Sequence, residues 1–99
     1  MRRELRWTEQ AASQLAAIAE YVGVASPLYA EQIVDRIVIR LQQVQEFPDS
    51  GRHVPESLAP NLRELIEVPY RVIYRATHEH IEVVAIVHGR RDLASGLSG

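Results

Sequence analysis

One feature constrains this chain more than any other: its apolar periodicity changes once, from helical to alternating. Leu15, Ile18, Ala19 and Val22 recur at helical spacing, which predicts an amphipathic helix over 8–23 opened by Thr8 as N-cap. Ser26-Pro27 ends that helix and starts another. Ser26 suits an N-cap, and Pro27 suits the first helical position, where a missing N–H costs nothing. The second helix is predicted over Pro27–Glu46, with Ala30, Ile33, Val34, Ile37, Leu41 and Val44 as its apolar stripe. Phe47-Pro48 stops it, and 48–60, with Pro48, Pro55 and Pro60, reads as an ordered surface loop.

From Leu62 onward the period is two. Leu62–Val68, Tyr70–Ala76 and Ile81–His88 read as strands, with breaks at Pro69 and at 77–80 that suit hairpins. A short strand at Arg3–Trp7 precedes the helices. The expected fold is therefore α+β: strand, helix, helix and three antiparallel strands, with both helices on one sheet face. A chain of 99 residues makes this a single domain over 1–99.

Turns at Pro69-Tyr70 and His78-Glu79 set an expected register. It places Arg75 between Glu64 and Glu82 as a structural cross-strand ion pair. Arg71 then lies opposite Val68 and Ile86 with no carboxylate beside it, as the better candidate for a functional arginine. The same register points Leu65, Val72, Tyr74, Val83, Ala85 and Val87 at the helices. Ile66, Val68, Ile73, Val84 and Ile86 form the opposite face, which no remaining element covers, and so asks for a partner. A slip of one residue would exchange the two faces.

Composition removes several chemistries. There is no cysteine, hence no disulfide, thiol nucleophile or thiolate metal site, which fits a cytoplasmic protein. All 11 basic residues are Arg; without Lys there is no Schiff-base or Walker-type phosphate site. A net charge of −2 and a pI near 6.1 speak against a domain that grips DNA through many phosphates. No stretch is apolar enough for a membrane span, and no motif calls for a cofactor or a metal. His88-Gly89-Arg90-Arg91-Asp92 remains open. It is either a histidine poised for acid–base work beside two guanidinium groups, or a strand-end turn with Asp92 pairing an arginine.

The order of these segments resembles the ParE branch of the RelE/ParE toxins of type II toxin–antitoxin systems. The resemblance rests on Trp7-Thr8, Ile18-Ala19-Glu20-Tyr21 before Ser26-Pro27, and Phe47-Pro48-Asp49-Ser50-Gly51-Arg52. It continues through Leu62-Arg63-Glu64-Leu65, Pro69–Arg75 and His88–Leu93. It implies a cytoplasmic toxin neutralised by a cognate ParD-like antitoxin, whose binding surface would be Ile66, Val68, Ile73, Val84 and Ile86. Members similar to ParE inhibit DNA gyrase and block replication; here Arg71, Arg90 and Arg91 would contact the target. Members similar to RelE cleave messenger RNA on the ribosome, and Arg71, His88 and Arg91 would then be catalytic. The absence of Lys, and of an aromatic residue in the tail 94–99, aligns the chain with the gyrase inhibitors.

Overall fold

A computed structural model describes residues 2–89. Its elements run β1 (Glu4–Trp7), α1 (Glu9–Ala25), α2 (Pro27–Glu46), β2 (Arg52–His53), β3 (Leu62–Glu67), β4 (Tyr70–Ala76) and β5 (His80–His88). The five strands form one sheet in the order β1-β5-β4-β3-β2. β1 lies parallel to β5, and the other neighbours are antiparallel. The nearly all-apolar β5 is thus interior, as its composition predicts. β2, two residues inside the expected loop, is an addition to the expected strands.

The helix boundaries follow from local chemistry. Thr8 Oγ1 accepts a hydrogen bond from Ala11 N–H at 3.0 Å and Ser26 Oγ accepts one from Tyr29 N–H at 3.1 Å; each satisfies a donor the first helical turn leaves unpaired. Pro27 sits at the start of α2 as expected. The buried residues of α2 are Ala30, Ile33, Ile37, Leu41 and Val44. Ile33, Ile37, Leu41 and Val44 build the main core with Ala11 of α1 and with Leu65, Val72, Tyr74, Ile81, Val83 and Ile86 from the sheet, and α1 lays Leu15, Ile18 and Val22 against it.

The strand register departs from expectation in two places. The β3–β4 hairpin turns through Val68-Pro69, a cis peptide bond, rather than through Pro69-Tyr70. Glu67 therefore pairs with Tyr70 and Glu64 with Ile73, a displacement of two residues that keeps the faces but changes every partner. The β4–β5 register shifts between Ile73 and Tyr74: Tyr74 faces Val83, whereas Ile73 faces Ala85. Val84 is the extra residue of a β-bulge, and beyond it the two faces of β5 change places.

The bulge corrects the face assignment. Ile86 belongs to the helix-facing core, while Ala85 and Val87 join Ile73, Leu62 and Val54 in a second cluster on the other face, with Val84 partly buried against it. That second face is not bare. The segment following β2 crosses it and inserts Val54, which is 2% exposed. Of the five residues expected on an open surface, Ile73 and Ile86 are buried, whereas Ile66 and Val68 are exposed at 39% and 76%.

Candidate functional site

The β4–β5 end of the sheet brings the candidate residues together. Tyr70 and His88 face each other across the two strands, their rings meeting edge to face with centroids 6.1 Å apart. Two clefts open on either side of this pair. One, of about 630 Å³, lies against α1 and is lined by Gln14, Ala17, Ile18 and Tyr21 together with Tyr70, Ile86, Val87 and His88. Gln14 closes its floor, accepting a hydrogen bond from Ile86 N–H at 2.7 Å. The other, of about 730 Å³, lies on the opposite sheet face, between the β3–β4 turn (Ile66, Val68, Pro69) and the segment carrying Arg52, Pro55 and Glu56, with Arg71 at its base.

Arg71 stands differently from its expected state. It is only 7% exposed, and it is enclosed by carboxylates. Its Nε donates to Glu64 Oε1 at 2.8 Å, and Nη2 donates to the same oxygen. Nη1 and Nη2 also make a two-pronged contact with Glu56, at 2.7 and 2.8 Å. Glu64 is itself 1% exposed and receives a second cation, Arg52 Nε, at 2.6 Å. The two-residue displacement of β3 produces this arrangement: it moves Glu64 away from Arg75 and onto Ile73, two residues along from the Ile66–Arg71 pair and on the same face.

The electrostatics follow from the contacts. The Glu56 and Glu64 carboxylates raise the Arg71 pKa further above its ordinary value, against the opposing effect of burial. Hydrogen bonding to Arg71 holds the Glu56 carboxyl below the usual carboxylate range. Among the described residues the two arginines and two glutamates of this group sum to zero, so the Arg71 charge is compensated within it.

Arg75 behaves partly as expected. It pairs with Glu82, Nη1 to Oε1 at 3.0 Å, but lies opposite Leu62, with Glu64 engaged elsewhere. His88 lies at the exposed end of β5 beside Gly89, whose N–H donates to Pro69 O at 2.7 Å. Arg90, Arg91 and the segment 92–99 lie outside the described residues. Among the described residues, no cluster of three His, Asp or Glu side chains is placed to hold a metal ion, and no helix is long and apolar enough to cross a membrane.

Sequence reasoning missed two residues of this site. Glu56 sits in a proline-containing loop with no periodic pattern to orient it. Gly51 is the other. Its N–H donates to Tyr74 Oη at 2.9 Å while that hydroxyl donates to Pro48 O at 2.8 Å. A Cβ at Gly51 would lie 2.6 Å from Tyr74 Oη and 2.7 Å from Glu64 O, so only glycine allows the loop this close to the sheet. The Gly51-Arg52 pair after Pro48-Asp49 was the available signal.

The comparisons with known proteins agree with this architecture. A family model described as the ParE toxin of the parDE type II toxin–antitoxin system matches residues 5–93. Toxin RelE2 of Caulobacter vibrioides is 34% identical over 86 residues, covering 86% of this chain and 93% of that protein. A solved chromosomal ParDE toxin–antitoxin system from P. aeruginosa superposes with a TM-score of 0.70 at 30% identity, covering 88% of this chain and 96% of that one. The RelBE2 toxin–antitoxin complex of Mycobacterium tuberculosis shares the fold, with a TM-score of 0.62 at 18% identity over 89% of this chain and 99% of that one. A strand, a helical pair and a run of antiparallel strands in this order, matched over most of the chain, place the protein in the ParE toxin family of the RelE/ParE superfamily of type II toxin–antitoxin systems.

Proposed function

We propose that this toxin acts by binding and inhibiting DNA gyrase, blocking replication, and that a cognate ParD-like antitoxin neutralises it. The observation that carries this reading is the state of Arg71. A phosphodiester-cleaving centre needs cationic donors aimed at charge that develops in the transition state. Arg71, the arginine an RNase mechanism would use, already spends Nε and both Nη groups on Glu64 and Glu56. Guanidinium groups matched one for one by carboxylates do not gather RNA phosphates. The lack of Lys and the acidic pI support the same conclusion.

Inhibition by binding requires only a surface. Ile66 and Val68 at the β3–β4 turn, with Tyr21, Val24 and Leu28 around the α1–α2 turn, supply exposed apolar area, and Tyr21 and Val68 line the two clefts that share Tyr70 and His88. The antitoxin partner is supported by the 30%-identical relative, whose solved structure is of a ParDE toxin–antitoxin system. A disordered antitoxin segment that folds on binding must bury a large apolar area to offset its ordering entropy, and Ile66 and Val68 are the accessible members of the surface expected for it. Arg90 and Arg91 would add target contacts.

Expression of the chain without antitoxin tests the proposal. DNA cleavage complexes should accumulate while transcripts stay intact, and His88→Ala should remain toxic. Messages cut within codons, with DNA intact, would instead establish ribosome-dependent cleavage with Arg71, His88 and Arg91 as its residues.

A further inference from the structure

Glu56 differs from the rest of the ionic cluster. Glu64 is enclosed, and Arg52 grips it from the far side. Glu56 is attached to the segment 54–61, of which Val54 is the sole buried side chain, and its carboxyl side chain is 40% exposed. The segment's ends are tied to the sheet, Val54 N–H donating to Leu62 O at 3.4 Å and Ala76 N–H to Asn61 O at 3.0 Å, while its middle is held by Ser57 N–H to Val54 O and Ala59 N–H to Ser57 Oγ, each at 3.1 Å. Leu58 projects fully into solvent. Arg71 would stay fixed without Glu56, because Glu64 still accepts from Nε and Nη2.

We propose that the outer edge of Arg71 is a carboxylate-binding site that the chain fills with its own Glu56, and that an acidic side chain of a partner peptide takes this place when the exposed loop 55–60 swings aside, Val54 and Asn61 staying on the sheet. The geometry selects the occupant. Nη1 and Nη2 present two parallel N–H groups, the fork that a carboxylate meets with both oxygens. A carboxylate replaces Glu56 charge for charge. A phosphate would bring a second negative charge beside the buried Glu64, which among the described residues Arg52 and Arg71 compensate. The cleft walls, Pro55, Ile66, Val68 and Pro69, favour apolar neighbours on either side of the incoming acid. The partner feature is thus a glutamate or aspartate flanked by aliphatic residues. This holds whichever cellular target the toxin has.

An internal ligand competes at high effective concentration, so its removal should unmask the site. The test uses the full chain, unsubstituted and as Glu56→Gln, titrated with the capped tripeptide Ac-Val-Glu-Val-NH2 and followed by amide and arginine side-chain NMR. Glu56→Gln should bind at least tenfold more tightly than the unsubstituted chain, with shifts centred on Arg71. The peptide with Gln in place of Glu should not bind, and inorganic phosphate should bind more weakly than the peptide. In the unsubstituted chain, acetate should speed hydrogen exchange at Ser57 and Ala59 relative to chloride at equal ionic strength, with Val72 and Ile86 unchanged. Equal affinity of the two proteins, preference for phosphate, or shifts remote from Arg71 would each overturn the proposal. Should Glu56→Gln lose its sheet protection, the acetate experiment decides alone, and exchange unchanged by acetate would overturn it.

Discussion

The two faces of the sheet are stabilised by different physics. Toward the helices, eleven fully buried apolar side chains from both helices and three strands interlock in one cluster, and shape complementarity dominates. On the opposite face five buried apolar residues share the surface with an ionic group of Arg71, Glu64, Glu56 and Arg52. Among the described residues there are two helices, both packed on the first face. Here an irregular segment covers the second face, and it is anchored by charge and by one glycine contact instead of by a broad apolar stripe. The first face therefore determines whether the chain folds. The second determines what the folded chain presents.

The contrast predicts a graded series of losses, measurable by denaturant unfolding. Ile37→Ala, on the fully enclosed helix side, should cost most, about 2–5 kcal/mol. Arg71→Ala follows, at about 2–3 kcal/mol: it strands the buried Glu64, yet Arg52 still compensates part of that charge, so the loss falls below that of a wholly enclosed pair. Val54→Ala removes two buried methyl groups from the smaller cluster and should cost about 1–2 kcal/mol. An Ile37 loss no larger than the Val54 loss would break the comparison. Arg75→Ala comes last, below about 1 kcal/mol, because its pair with Glu82 is solvent-exposed on both sides.

Acid sharpens the comparison further. The folded-state pKa of Glu56 is depressed, so its pairing contributes stability above its unfolded pKa of about 4.3 and loses it as pH falls through the folded value. Protection of Ser57 and Ala59 should fall over this range before that of Val72, and Glu56→Gln should remove the acid-dependent part. Simultaneous loss at all these amides would mean that the segment and the sheet open as one unit.

The legibility of the sequence divides along the same line. Helical positions were readable because caps and period agree: Thr8, Ser26 and Pro27 fix the starts, and Ile33, Ile37, Leu41 and Val44 fix the face. Tyr70–Ala76 was readable for its alternation and its flanking turns. The second face was not, for two physical reasons. Val83-Val84-Ala85-Ile86-Val87 is apolar throughout, so no period-two signal marks the bulge that exchanges Ile86 with Ala85 and Val87. The placement of the β3–β4 turn at Val68-Pro69 moves Glu64 two positions, and with it the distinction between a free Arg71 and a neutralised one. Glu56 and Gly51 act through tertiary approach alone, which no local pattern encodes.

Arg71 serves as the internal counter-ion of Glu64 and not as a free cation awaiting phosphate. A double-mutant cycle of Arg71→Met and Glu64→Gln, read by denaturant unfolding, tests it most directly. Strong coupling is expected, about 1.5–3 kcal/mol, with the double variant more stable than the two single losses would add up to. Additive losses, with coupling below about 0.5 kcal/mol, would show that the two side chains act independently and would return Arg71 to the candidates for a catalytic residue.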